Sequence, residues 1–163
     1  MNQAGISPRT ERLSAPQTKR AKRPTVSPQL RLSCPTDDSH RQDSNLLGAS
    51  SAALLNAVKT VAGLPDDLLM IAPSIIEPIQ KLKIAILKNH NPRLHSDETL
   101  IALSMSANTN PVAKKALEAI GMLAGCEAHS TVILSQVDQD VYRKLGINLT
   151  CEPRYQTKKL YHK

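Results

Sequence analysis

The sequence predicts an α/β fold in which helices pack on a small parallel sheet that is incomplete in this chain. Residues 131–134 and 147–150 are short, β-branched and apolar, which is typical of buried strands. A helical pattern lies between them, and the twelve residues that separate Leu134 from Ile147 suffice for a right-handed crossover between parallel strands. Because two strands leave faces and edges uncovered, we expect missing chain or a partner to complete the sheet.

Five further segments place apolar side chains at the three- and four-residue spacing of a helix. Their first apolar positions are Leu47, Ile75, Leu100, Ala113 and Val137. Glycines that can end a helix follow three of these segments, at Gly63, Gly125 and Gly146. The N-caps expected at their starts are Ser74, Ser96 or Asp97, Asn110, and Ser135 or Asp138.

The formal net charge of +7 is concentrated at the two ends of the chain. Residues 1–44 carry eight basic and four acidic residues, and residues 154–163 carry four basic and no acidic ones, whereas the stretch 45–153 is close to neutral. The chain has no Trp or Phe, so it lacks the aromatic stacking platforms of single-strand binders. Specific nucleic-acid binding is therefore not expected, and weak binding through the basic arm is kept as an alternative.

Composition divides the chain into three parts. We expect residues 1–44 to be a disordered basic arm, because the stretch 8–44 holds five of the eleven prolines and little apolar periodicity. Residues 45–153 form the α/β subdomain, and residues 154–163 form a basic tail that we expect to dock on it. No apolar run suits a membrane span or a signal peptide, and three cysteines make no disulfide framework, so we expect a cytoplasmic protein.

Candidate ligand-binding residues fall in two places. The first is the polar, turn-rich stretch 88–97, which carries Arg93, His95 and Ser96 and leads into a helix N-terminus. Backbone N–H groups and the helix dipole favour anions there, so a phosphate or a carboxylate is the expected ligand. The second place is the entry to the first predicted strand, and its candidates are Cys126, Glu127 and His129.

Cys126, His129 and Cys151 are weak candidates for metal ligands. Only Cys126 and His129 have a short spacing, whereas structural zinc sites use four ligands in paired short spacings, so we expect no metal. His129 could also serve as a base for Cys126 or Ser130, but neighbouring residues on a strand point to opposite faces, and the pattern Gly-x-Ser-x-Gly does not occur. The sequence identifies no catalytic residue and no cofactor.

Several blocks of the sequence together resemble a known family. They are LLGASSAALLNAVK (46–59), IEPIQKLK (76–83), NPRLHSDETLIALS (91–104), GCEAHSTVILSQVD (125–138), LGINLTCEP (145–153) and YQTKKLYHK (155–163). In this order they look like the carboxyl-terminal region of domain-of-unknown-function family 1846, whose bacterial members are several times longer. The resemblance implies a three-layer α/β subdomain. The family's preceding, Gly-rich, phosphate-loop-like stretch has no counterpart here, so no nucleotide role is transferred to any residue.

The segment 8–44 departs from this resemblance, although MNQAGIS before it resembles the family again. Permissible codons for residues 8–24, read two bases along, give QDRKVVGAADEEGEETG, which looks like the family's own sequence at this place. Residues 26–37 and 37–44 give further family-like stretches in shifted frames. We hypothesise that residues 8–44 are translated out of frame, and sequencing the genomic DNA tests this.

We expect this chain to be a structural or ligand-binding carboxyl-terminal subdomain of a larger bacterial cytoplasmic protein, and not to be catalytic alone. Its expected partner is either a second copy, in a homo-oligomer, or the missing amino-terminal part of the parent protein. The alternative is half of an enzyme active site for a phosphorylated or nucleotide-like substrate, built around Cys126, His129, Arg93 and His95. Whether the chain is an enzyme is left open.

Overall fold

The computed structural model describes the backbone of residues 29–34, 37–42 and 46–154, and the side chains of Arg31 and residues 46–154. The strands are β1 (Gln29–Cys34), β2 (Asp37–Gln42), β3 (Glu127–Ser130) and β4 (Asn148–Cys151). The α-helices are α1 (Ala49–Val61), α2 (Pro73–Lys81), α3 (Ser96–Ser106), α4 (Pro111–Ala119) and α5 (Gln136–Lys144). A π-helical turn, Leu82–Ile86, continues α2, and a 3-10 turn, Ile120–Leu123, continues α4.

The four described strands form one mixed sheet in the order β2-β1-β3-β4. β3 and β4 are parallel, with Ala128 opposite Leu149 and Ser130 opposite Cys151. β1 pairs antiparallel with both β2 and β3. The predicted α/β class is therefore confirmed, together with the parallel pair whose crossover contains α5.

The sheet has one buried face and one exposed face. Ala128 and Ser130 are buried, whereas Glu127 and His129, which alternate with them along β3, are exposed. The buried face belongs to the core, whose largest fully buried side chains include Tyr142, Leu54, Leu94, Leu103, Leu123 and Val58. Arg31 of β1 lies opposite His129 in the register, and it lines the same surface as Glu127 and His129. The sheet was expected to need missing chain or a partner beside its parallel pair, but β1 of this chain pairs with β3.

The first predicted strand was placed wrongly. Residues 131–134 were expected to be the strand, but β3 is Glu127–Ser130. The Ser130 hydroxyl donates to the carbonyl of Val132 at 2.7 Å and accepts from its N–H at 3.3 Å, which bends the chain directly after β3. Val132 and Leu134 are still buried, so the apolar run marks burial and not strand pairing.

Two predicted helix starts are confirmed by their capping bonds. The Asn110 side chain accepts a hydrogen bond from the N–H of Val112 at 2.9 Å, and Pro111 occupies the first helical position of α4. The Ser135 hydroxyl accepts from the N–H of Asp138 at 3.2 Å at the start of α5. These local signals are strong because each cap satisfies an N–H that the helix itself leaves without a partner.

The start of α2 differs from the prediction. Ser74 was expected to cap this helix, but α2 begins at Pro73 after Ala72, which offers no side-chain cap. Proline needs no partner for a first-turn N–H and fixes φ in the helical range, so it replaces the cap. A second proline, Pro78, lies inside the helix, and the π-helical turn Leu82–Ile86 follows it.

The two ends of the chain mostly lie outside the described residues. β1 and β2 fall inside the arm that was predicted to be disordered, at positions where the sequence predicted no element. For the rest of residues 1–44, and for the tail from residue 155, the predictions of disorder and of docking stay predictions. No helix in the described part of the chain is long and apolar enough to cross a membrane.

Candidate ligand-binding site

Two helix N-termini meet beside the end of β3. α5 begins at Gln136, six residues after Ser130, so its N-terminus lies near the carboxyl edge of the parallel pair. α3 contacts α5, and its first residue, Ser96, bonds to Asp138 in the first turn of α5. In open α/β sheets, ligands bind outside the carboxyl ends of the strands.

Asp138 is the buried centre of this cluster. Its Oδ1 accepts hydrogen bonds from the N–H of Ser96 at 2.9 Å and from the Ser96 hydroxyl at 2.7 Å. Its Oδ2 accepts from the Ser135 hydroxyl at 2.6 Å and lies 3.2 Å from His95 Nδ1. Both carboxylate oxygens are therefore satisfied, which offsets the cost of burying a charge.

The pKa of Asp138 reflects this balance. Burial raises its pKa, but the hydrogen bonds from His95, Ser135 and Ser96 outweigh burial and hold the pKa well below its ordinary value. Asp138 is therefore ionised at neutral pH. Its negative charge lies at the N-termini of α3 and α5, where both helix dipoles favour it.

His95 is the N-cap residue of α3, and 32 % of its side chain is exposed. The hydrogen bond to Asp138 raises its pKa; burial and the charge of Lys83 act in the opposite direction, and the charges of Asp138 and Glu98 reinforce the rise. Because Nδ1 is directed at Asp138, Nε2 is the ring nitrogen left for a ligand or a proton. This is the arrangement of a histidine oriented by a carboxylate for binding or proton transfer.

A second ion pair, between Lys83 and Glu98, binds the backbone next to His95. Lys83 is buried, and its Nζ donates to Glu98 Oε2 at 2.6 Å and to the carbonyl of Arg93 at 2.7 Å. The same Glu98 oxygen accepts from the N–H of His95 at 2.8 Å. The backbone on both sides of residue 94 is thereby fixed, and with it the position of the His95 ring.

Three of the predicted ligand-binding residues therefore lie together. His95 and Ser96 bind one carboxylate, and half-buried Arg93 lies two residues before His95. The segment between the π-helical turn and α3, residues 87–95, also carries Lys88 and His90 and contains no acidic residue. The expectation of an anion at this loop remains a prediction, and it now has a defined location.

The other three predicted residues are separated by the pleat of β3. Cys126 is buried and disulfide-bonded, contrary to the expectation of reduced cysteines, so it offers no free thiolate. Glu127 and His129 lie on the exposed face. His129 Nδ1 lies 2.8 Å from Thr150 Oγ1 of β4. Cys126 and His129 thus point to opposite sides of the sheet and cannot act as a nucleophile–base pair.

Metal binding gains no support from the described residues. No group of three His, Cys, Asp or Glu side chains in the described part of the chain is arranged to hold a metal ion. Cys151 is free, but it lies opposite Ser130 in the parallel pair and not beside His129. The three weak candidates, Cys126, His129 and Cys151, are therefore not brought together.

The sequence did not identify the residues that organise the cluster. Asp138 and Ser135 were noted only as possible caps of α5, and Lys83 and Glu98 were not singled out. Asp138 lies 42 residues after Ser96 along the chain, so only the packing of α3 against α5 joins them. The available signal was local: Ser96 and Ser135 each lie at a helix start and are followed by a carboxylate within the first helical turn. Ser135 is the N-cap of α5, whereas Ser96, one of the two expected caps of α3, is its first residue and His95 is the N-cap.

Fold and site together define an α/β subdomain with a carboxylate-oriented histidine at the carboxyl edge of its parallel strands. The model of the domain of unknown function DUF1846, C-terminal, matches residues 41–161, and the chain belongs to this family. It is 44 % identical to a UPF0371 protein of Streptococcus pneumoniae serotype 19F (strain G54), over all of this chain and 33 % of that protein. UPF0371 proteins of strains CGSP14 and JJA are 43 % identical over the same shares. The chain thus spans about a third of the length of these curated relatives.

Proposed function

We propose that this chain is the carboxyl-terminal, ligand-binding subdomain of a larger bacterial cytoplasmic protein, and that His95 contacts a phosphate or carboxylate group of the ligand. One observation carries the proposal. The ring of His95 is fixed at Nδ1 by the buried carboxylate of Asp138, 3.2 Å away, while about a third of the side chain remains exposed. A histidine held in this way is pre-organised, so binding a ligand costs little side-chain entropy.

The charges around His95 favour an anion. The raised pKa of His95 increases its cationic fraction at neutral pH, and the hydrogen bond that His95 donates to Asp138 is the main cause of the rise. Lys88 and Arg93 precede His95 in the segment 87–95, which has no acidic residue, and the carboxylate of Glu98, which accepts from the His95 N–H, is paired with Lys83. The negative charge of Asp138 is directed at Ser96, Ser135 and Nδ1, so it is largely screened from an anion that approaches Nε2.

An NMR titration tests this binding. The full chain, labelled with 15N so that backbone amides and histidine rings are both observed, is titrated with inorganic phosphate and with pyrophosphate, and with sodium chloride at matched ionic strength. The His95 ring signals should shift saturably with the phosphates, whereas those of His90 and His129 should follow ionic strength only. H95Q should abolish the saturable shifts at the Ser96 amide, and the matched variant H90Q should retain them. Equal, non-saturating shifts at all three histidines would contradict the proposal.

The second candidate function is half of an enzyme active site, and the same pair of residues favours it. A histidine oriented by a buried aspartate can act as a general base or acid, and the pKa of His95 is raised mainly by its hydrogen bond to Asp138. In this case the substrate-binding residues would come from the rest of the longer protein. Replacing the residue that aligns with His95 by Gln in the full-length strain G54 relative should then reduce turnover more than substrate affinity, whereas a pure binding role would lower affinity alone.

A further inference from the structure

In the segment that follows α2, the apolar side chains are exposed and a lysine is buried, which is the reverse of the usual arrangement. Leu82, Ile84, Ile86 and Leu87 are 46 %, 40 %, 69 % and 59 % exposed, whereas Lys83 between them is 3 % exposed. We call these four apolar side chains the apolar ridge. Large apolar side chains scattered singly over a surface are ordinary, but four exposed ones within six residues, with Leu82 and Ile86 one helical turn apart, are a dense apolar segment of the kind that marks an interaction surface.

The π-helical turn accounts for this inversion. The helical spacing of Ile75, Ile79, Leu82 and Ile86 predicts one inward face, and Ile75 and Ile79 do pack against the core. The N–H of Leu87 then bonds to the carbonyl of Leu82 at 3.0 Å, five residues back, which breaks the α-helical period. After this change of period, Lys83 faces inward and the ridge faces outward.

The inward position of Lys83 is built into the structure. Its ammonium group donates to Glu98 and to the Arg93 carbonyl, and Glu98 in turn binds the N–H of His95. A buried lysine is tolerated only with such partners. If Lys83 turned outward, the carboxylate of Glu98 would lose its cationic partner. The ridge is therefore held in its exposed position and cannot turn inward by rotation of the helix.

The charges beside the ridge argue against a second copy as the occupant. Exposed Lys81 and Lys88 lie at the two ends of the ridge, and residues 78–96 contain no acidic residue. A two-fold symmetric contact of ridge on ridge would bring these lysines against each other, and like charges across an interface are unfavourable. The ridge therefore fits an apolar face with an acidic rim.

We infer that the apolar ridge is the docking surface for the part of the longer protein that lies outside this subdomain, through an apolar segment flanked by acidic residues. This chain spans 33 % of the length of its strain G54 relative, so in a protein of that length about two-thirds of the sequence lies outside this subdomain and is available to cover the ridge. The inference depends on the ridge and not on ligand binding at His95. Its failure is therefore distinguishable from the failure of the proposed function.

Site-specific photo-crosslinking tests the inference. A benzophenone amino acid is placed at the position aligned with Ile86 in the full-length strain G54 relative, and at Ile86 in this chain. A matched control has the probe at Ile101, an exposed apolar residue of α3 that is not part of the ridge. Crosslinked peptides are identified by mass spectrometry, and folding of each variant is checked by circular dichroism.

In the full-length relative, the ridge probe should crosslink within one molecule to the two-thirds outside the aligned part, at a segment with flanking acidic residues, and several-fold more than the control probe does. This chain alone should give no dimer crosslink above the level of the control. Crosslinks between two copies in either protein would overturn the inference in favour of self-association. Crosslinking of the ridge probe at the level of the control would show that the ridge faces solvent, and would also overturn it.

Discussion

His95 and His129 are each followed by a serine, yet the fold brings one histidine–serine pair together and separates the other. His95 and Ser96 both bind the carboxylate of Asp138 because they lie at the N-cap and first position of α3, where side chain and backbone N–H converge. His129 and Ser130 end a strand, so the pleat directs His129 to the exposed face and Ser130 into the core.

This difference shows that a helix N-terminus concentrates polar groups, whereas a strand separates them. The His95 cluster combines burial, an ionised carboxylate and two serine hydroxyls that donate to it. His129 has one hydroxyl partner, Thr150, at the exposed face of the sheet. We therefore expect substitutions in the first cluster to affect stability much more than equivalent substitutions around His129.

The largest effect is expected for D138A. The substitution removes four hydrogen-bonding interactions and leaves His95, Ser96 and Ser135 without their shared acceptor, so the free energy of unfolding should fall by about 3 kcal/mol. The matched control, T150A, removes the partner of exposed His129 and should cost about 0.5 kcal/mol or less. Urea unfolding followed by circular dichroism measures both values. A loss below 1 kcal/mol in D138A would mean that the cluster is not a stabilising centre.

The pH dependence of stability sharpens the comparison. The pKa of His95 is raised in the folded state, so its contribution to stability is fully present below pH 6.5 and is lost as the pH rises through the raised value. The lowered pKa of Asp138 gives a contribution that is present above pH 3.8 and is lost only as the pH falls through the lower folded value. The pair therefore stabilises the fold most between pH 3.8 and 6.5.

Unfolding curves at a series of pH values test this sign. The free energy of unfolding should decrease from pH 6 towards pH 8, and H95Q should flatten this part of the profile. H129Q should keep the decrease, because the hydrogen-bond partner of His129 is the hydroxyl of Thr150 and not a carboxylate. A free energy of unfolding that rises between pH 6 and 8 would contradict the predicted sign. A decrease that H129Q removes and H95Q does not would show that His129, and not His95, causes the pH dependence.

A smaller effect is expected for S135A. The hydroxyl caps α5 through the N–H of Asp138 and donates to Asp138 Oδ2, so its loss should cost about 1 kcal/mol. S104A replaces an exposed serine of α3 and should stay within about 0.5 kcal/mol of the parent chain. Thermal unfolding of the two variants side by side measures the difference. Equal melting temperatures would show that the cap is replaced by water without cost.

The sequence predicted what depends on local chemistry. Asn110 and Ser135 were identified as caps because a side-chain oxygen near an unpaired N–H is a local signal. The crossover between β3 and β4 followed from its length and helical pattern. The position of β3 did not follow, since Glu127–Ser130 alternates small and polar residues on a half-exposed sheet, and the more apolar run after it was mistaken for the strand.

The rest depends on contacts between distant residues. The periodicity of Leu82 and Ile86 predicted an inward face, and only the π-helical turn and the Lys83–Glu98 ion pair reverse it. The bond between Ser96 and Asp138 needs the packing of α3 on α5. The resemblance to the family located His95 and Ser96 in a recognisable block, but it did not indicate which carboxylate would hold them.

The smallest effect is expected for H129A. The ring is exposed, and its hydrogen bond to Thr150 competes with water, so the loss of stability should be about 0.5 kcal/mol or less. Because His129 lies on the open face of the sheet and Asp138 on the core side, H129A should also leave the phosphate-dependent shifts of the His95 ring unchanged. The NMR titration described above measures this directly. If H129A removed those shifts, the two histidines would belong to one site, and the separation imposed by the pleat of β3 would not hold in solution.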